Sequence, residues 1–201
     1  MISDYDFSKV YSEYYPIILR YVTRIVGQND AEDVTQDIFN KVNSNLEGFQ
    51  GKSKLSTWLY RIATNTAIDK TRSAAYKHAP QHIAIEGDAV REPKPVLENH
   101  KPPSTDQLVI QKEMSECINE YIDTLPPEYK TVIVLSDLEG LAYKEIAEIL
   151  DITVENVKVR LHRARIKLKA ILDDACEFYY NDKNTLACDR KQAQILPKTP
   201  K

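Results

Sequence analysis

Residues 142–170 read "AYKEIAEILDITVENVKVRLHRARIKLKA". Two short runs of apolar residues at helical spacing flank a three-residue break. In the first run Ile146, Ile149 and Leu150 share a face, and Ala147 is small enough to let a second helix cross closely. In the second run Val157 and Leu161 stand four apart. The break is Asp151, Ile152 and Thr153: a residue that tolerates left-handed backbone, an apolar plug for the core, and a hydroxyl that caps the next helix. The pattern predicts a helix-turn-helix with helices over 142–150 and 154–172. Asn156, Lys158, Val159, His162 and Arg163 are left facing outward, with Arg165 behind them. A short polar set near the start of a helix is what a major-groove reader needs. Arg and Lys donate to guanine edges or to phosphates, and Asn pairs with adenine.

The positive charge of this stretch stands out in a chain of net charge −3. A basic helix is often just a solvated face. A membrane-surface helix fits less well, because the apolar face is claimed by the preceding helix and carries no Trp or Phe. A second basic island lies over 52–77, where Lys52, Lys54, Arg61, Lys70, Arg72 and Lys77 meet only Asp69. Residues 1–50 and 82–139 are acidic. Two basic islands in an acidic chain imply two contacts with one polyanion.

The second island has its own character. Arg61, Asn65, Asp69 and Arg72 follow one another at steps of four, four and three, so they share one face of a helix over 56–72. Trp58 lies a turn earlier, and Phe49, Lys52 and Lys54 occupy the loop before it. A polar, basic face with aromatic neighbours suits unstacked single-stranded bases. Trp58 and Phe49 are equally at home in a core, and Arg61 can pair with Asp69.

Around these islands the chain reads as helical. Asp30 caps a helix in which Val34, Ile38, Val42 and Leu46 recur every four residues. Ser56 caps the next helix, with Leu59, Ile62, Ala63 and Thr66 inward. Residues 79–107 hold five prolines and no apolar period, so they read as a tether. Leu108, Ile118, Ile122 and Leu125 mark a further helix, ended by Pro126; Pro127 opens the next, which Gly140 ends. The expected architecture is all-α: two small helical domains, 1–76 and 107–172, joined by a flexible linker over 77–106. The second contains the helix-turn-helix.

Composition narrows the function. No P-loop, GxSxG or HExxH pattern occurs, and no catalytic constellation emerges, so the expected protein is not an enzyme and needs no cofactor. No apolar run approaches the ~18 residues of a membrane span. The acidic, aromatic N-terminus does not look like a secretory signal, which makes the cytoplasm the expected location. His78, His82, His100 and His162 have no metal-ligand spacing. Cys176 and Cys188, in a tail over 173–201, supply half of a tetrahedral zinc site, so no metal is expected there. The tail reads as a helix extension packed by Phe178 and Tyr179, with an unstructured end.

Four stretches together, "DAEDVTQDIF", "STWLYRIATNTAID", "LPPEYKTVIVLSDLEGLAYKEIAEIL" and "ENVKVRLHRARIKL", resemble an extracytoplasmic-function (ECF) sigma factor of bacterial RNA polymerase over residues 8–172. The resemblance implies a partner set: core RNA polymerase, promoter DNA as both duplex and single strand, and an anti-sigma factor. It implies that Asp33, Gln36, Asp37 and Phe39 lie on a polymerase-facing helix. It places Asn65 and Asp69 at the captured minus-ten base, with Phe49 to Lys54 as the loop that cages it. It makes Asn156, Lys158, His162 and Arg163 the readers of the minus-thirty-five duplex. Val159 stands where the family often has a hydroxyl, and Asp69 is acidic on a DNA-facing stripe; both point to a promoter preference particular to this chain. The rival reading is a stand-alone helix-turn-helix regulator, for which 30–72 would be superfluous.

Overall fold

The computed structural model describes residues 5–75, 105–182 and 185–191. The predicted linker therefore lies almost wholly outside the described residues. Its last positions, 105–106, are helical.

The described chain forms seven α-helices and a hairpin. They are α1 (Phe7–Val26), α2 (Gln28–Asn45), α3 (Leu55–Ala75), α4 (Thr105–Asp123), α5 (Pro127–Ile133), α6 (Tyr143–Leu150) and α7 (Val154–Ala175), then strands β1 (Cys176–Tyr180) and β2 (Leu186–Arg190). A 3-10 turn, Leu46–Gly48, follows α2, and a π-helical turn, Val134–Leu138, continues α5.

Two compact units emerge. The first holds residues 5–75 and 126–162. In it α1 lies against α2 and α3, α2 lies on α3, and α3 lies against α6. Its core is the sum of the apolar stripes: Ile18, Tyr21 and Val22 from α1, Ile38 and Val42 from α2, Leu59 and Ala63 from α3, and Ile146 and Ile149 from α6. Removing such side chains from water is the main favourable term in folding. One buried polar link crosses this core, where the Tyr21 hydroxyl and Thr64 Oγ1 meet at 2.7 Å. The second unit holds residues 105–125, 163–182 and 185–191. There Tyr121, Ala175 and Cys176 form a small core, with Cys117, Leu168 and Cys188 packed against it.

Several expectations change in detail. Helix α2 begins at Gln28 with Gly27 as its cap, so Asp30 sits in the first turn rather than at the cap. Gly27 adopts φ +88°, which a side chain disfavours. Helix α3 starts at Leu55, placing Ser56 inside it. The tail differs most. It is not a helix extension but an antiparallel hairpin, with Cys176 opposite Arg190 and Phe178 opposite Cys188. Phe178 and Tyr179 are exposed on it rather than packed. The alternation over 176–190 is too short and too irregular to have signalled strands. The helix-turn-helix, by contrast, forms as read: Asp151 is left-handed, at φ 54° and ψ 48°.

Candidate nucleic-acid interface

The α3 face is built by helical spacing. Arg61, Asn65, Asp69 and Arg72 are all exposed along it, while Leu59, Ala63 and Ala67 bury the other side. A cavity of about 450 Å³ opens on this face, lined by Lys41, Asn45, Trp58, Arg61, Ile62, Asn65 and Thr66. Trp58 is half-buried and forms part of the cavity wall, so it serves both core and surface. Phe49 braces it, with ring centroids 5.2 Å apart, and Tyr5 meets Phe49 edge-on at 5.6 Å.

Lys41 and Asn45 escaped the sequence reading. They stand four apart on α2, each one position before a member of the apolar stripe, which is where a helix borders its neighbour. The Lys41 ammonium donates to Thr66 Oγ1 at 2.9 Å, and Asn45 Nδ2 donates to the Lys41 carbonyl at 2.7 Å.

Three cations of this region already have carboxylate neighbours. Lys54 Nζ lies 2.8 Å from Glu145 Oε1, Arg61 lies 3.7 Å from Asp151, and Lys70 lies 2.9 Å from Asp30. The hydrogen bond to Glu145 raises the Lys54 pKa, and the same bond lowers that of Glu145. Arg61 thus pairs with a residue of the helix-turn-helix, not with Asp69. Lys52 is exposed in the loop.

Beneath lies Glu139. Its side chain is 1% exposed, and it accepts from Arg20 at 2.8 Å, from Arg24 at 2.5 Å and from the Tyr60 hydroxyl at 2.8 Å. Burial, and then the bond to Glu139, pushes the Tyr60 phenol well above its usual range. The π-helical turn ends at Glu139, whose N–H bonds back to the Val134 carbonyl at 2.9 Å.

On α2, Asp33, Gln36 and Asp37 are exposed. Phe39 is not: it is 2% exposed and packs under Tyr11, with centroids 5.0 Å apart, and Tyr15. It supports α2 from below and offers no surface. An aromatic within an acidic stretch can face either way, and only the packing of α1 decided it.

The front of α7 is organised by its cap. Thr153 Oγ1 accepts from the Asn156 N–H at 3.1 Å, and the Ile152 N–H closes α6 by bonding to the Ala147 carbonyl at 3.1 Å. Val157 and Leu161 are buried. Asn156 is exposed, Lys158 and His162 are half-buried, and Val159 is 38% exposed. Arg163, exposed, and Arg165, half-buried, belong to the second unit.

In that second unit a cavity of about 410 Å³ lies beside Cys117, Cys188, Glu120 and Arg190. Cys176 is buried and its thiol reaches the Tyr121 hydroxyl at 3.8 Å. Among the described residues no three His, Cys, Asp or Glu side chains stand where they could hold a metal ion. Among the same residues no helix is long and apolar enough to cross a membrane.

Comparison with known proteins agrees with this arrangement. The family model "Sigma-70 region 2" matches residues 10–76 and "Sigma-70, region 4" matches residues 115–168. The ECF RNA polymerase sigma-E factor of Haemophilus influenzae is 35% identical over 159 residues, spanning 79% of this chain and 83% of that protein. This chain belongs to the ECF sigma factors. The ECF sigma factor SigW of Bacillus subtilis is 34% identical over 84% of this chain and 89% of its own length. Among solved structures, the sigma factor RpoE in complex with the anti-sigma factor NepR from Bartonella quintana overlays with a TM-score of 0.58 at 20% identity. It covers 84% of this sigma factor and 97% of that chain. CnrH in complex with the cytosolic domain of CnrY gives 0.56 at 24% identity, over 84% and 88%. At such identities these two speak for the fold alone.

Proposed function

We propose that this sigma factor binds core RNA polymerase and directs promoter-specific initiation through two DNA contacts. The first contact is the exposed stripe Arg61, Asn65, Asp69 and Arg72, with Phe49, Lys52 and Lys54 in the loop before it. It captures the melted minus-ten strand. The observation that carries this reading is the cavity on α3, walled by Trp58 and edged by Asn65 and Arg61, since an aromatic wall with polar edges is what an unstacked base requires. The second contact is the front of α7, where Asn156, Lys158, Val159, His162 and Arg163 read the minus-thirty-five duplex and Arg165 meets phosphate. Asp33, Gln36 and Asp37 form the polymerase-facing surface of α2.

In this reading the working domains are 1–76 and 107–172, joined by 77–106. The protein carries out no catalysis of its own and acts in the cytoplasm, where polymerase is. An anti-sigma factor is a further partner, as it is for the relatives solved in such complexes.

The test is reconstituted transcription. Purified full-length chain added to core polymerase should yield promoter-specific transcripts from a genomic library, and Asn65→Ala should reduce them without weakening duplex binding. Because residues 126–162 pack with 5–75, substitution discriminates better than truncation. Full activity of Arg61→Ala/Asn65→Ala would leave a stand-alone helix-turn-helix regulator as the better account.

A further inference from the structure

The chain has three cysteines, far apart in sequence, and the fold brings all three into one place. Cys176, at the start of β1, belongs to the small core of the second unit, and Cys117 of α4 and Cys188 of β2 pack against that core. All three are free thiols. Cys117 and Cys188 are half-buried and line the same cavity, whereas Cys176 is buried with its thiol directed at the Tyr121 hydroxyl. A neighbouring ion pair fixes how β2 lies on α4. Arg190, two residues beyond Cys188 and so on the same face of the strand, bonds to Glu120 at 2.5 Å and stands over the Tyr121 ring at 5.9 Å. Glu120 is three residues beyond Cys117 on α4, so each thiol sits one step along its element from that ion pair. We propose that Cys117 and Cys188 form an oxidation site, at which a peroxide joins them in a reversible disulfide that fastens the hairpin to α4. The inference is independent of the DNA reading.

The two sulfurs have different surroundings. The Arg190 guanidinium hydrogen-bonds to Cys117, which puts a cation beside the sulfur that must react as thiolate. Burial raises the Cys188 pKa, and Cys176, Cys117 and Asp189 raise it further, so Cys188 is the thiol that reacts second. In the first step Cys117 gives up its proton and its sulfur attacks one peroxide oxygen. An S–O bond forms, the O–O bond breaks, and the departing hydroxide takes up the proton as water. Cys117 is then a sulfenic acid, oxidised by two electrons, and the peroxide is reduced. In the second step the Cys188 sulfur attacks the Cys117 sulfur. An S–S bond forms, the S–O bond breaks, and hydroxide leaves with the Cys188 proton as a second water. Cys176 takes no part. Its register opposite Arg190 sets it diagonal to Cys188 on the hairpin, where Cα atoms are about 7–8 Å apart, wider than a disulfide usually spans.

The experiment treats the reduced full chain with equimolar hydrogen peroxide, blocks the remaining thiols and maps cross-linked peptides by mass spectrometry. A bridge from Cys117 to Cys188 should account for most of the product, with Cys176 left as the blocked thiol, and dithiothreitol should reverse it. In Cys188→Ser the reaction should stop at a sulfenic acid on Cys117, captured by dimedone. The bridged chain should unfold at a higher temperature than the reduced one and lose that gain on reduction, because the cross-link restricts the unfolded chain. The bridge is read in the unaltered protein, so the result does not depend on how the variant folds. Survival of all three thiols, a bridge through Cys176, pairing no more selective than in the urea-unfolded chain, or an unchanged unfolding midpoint overturns the proposal.

Discussion

The face of α3 and the front of α7 are both basic helix surfaces, and both are proposed here to meet DNA, but they are assembled over very different distances in the chain. On α7 every organising feature is local. The left-handed Asp151, the Thr153 cap and the buried Val157 and Leu161 lie within eleven residues of one another. On α3 the cavity borrows Lys41 and Asn45 from α2, and Lys54 and Arg61 find carboxylates from α6 and its flanking turn. The local surface depends on caps and spacing, whereas the composite one depends on how helices dock.

Breaking the local surface should have the largest effect. Leu161 is 1% exposed, and Leu161→Ala should cost about 2–5 kcal/mol of stability, read as a lower midpoint in chemical or thermal unfolding. A loss far below that range would mean that α7 does not depend on this packing. Next, Arg163→Ala and Lys158→Ala should each cost about 1–3 kcal/mol if the residue reads a base, confined to one promoter position. If it meets phosphate, binding should weaken across all sequences, and the slope of log affinity against log salt should fall by about 1. Titration of duplex binding against salt separates the two, and no change in either variant removes the assignment of α7 as reader.

Smaller effects sharpen the contrast. Thr153→Ala should cost about 1 kcal/mol through loss of the bond from the Asn156 N–H. Asp151→Gly should instead stabilise the turn, by up to about 1 kcal/mol, because its left-handed backbone suits glycine. A fall in stability there would show that the carboxylate matters more to the fold than the turn does. The smallest effect concerns pH. The Glu145 pKa is lowered by Lys54 and by the Ala142 N–H. A carboxylate depressed in the folded state contributes stability above its unfolded pKa, and that contribution is lost as pH falls through the folded value. Stability of the first unit should therefore drop on acidification into the carboxylate range, and less so in Glu145→Gln.

Legibility in the sequence followed the same divide. The helix-turn-helix could be read because its signals lie inside single elements: a period of about four, a cap, and a residue that accepts positive φ. The stripe on α3 was legible for the same reason, and Arg61, Asn65, Asp69 and Arg72 are exposed together. Phe39 was misjudged because its burial depends on Tyr11 and Tyr15 from another helix. The hairpin of β1 and β2 was missed because five-residue strands with mixed exposure leave no clear alternation. The Glu139 cluster was invisible for a different reason: its cations lie more than a hundred positions away, and nothing in the spacing of the chain marks them.

The sequence by itself determined the helices from α2 onward, the turn between α6 and α7, the two basic islands and the family. These rest on interactions between residues a few positions apart, where backbone geometry fixes who meets whom. The tertiary structure alone decided that Lys41 and Asn45 complete the cavity, that Phe39 is core, and that Glu145 and Asp151 occupy Lys54 and Arg61. Those outcomes depend on how helices dock. Docking is settled by the collective burial of many apolar side chains, and the charged pairs follow from it.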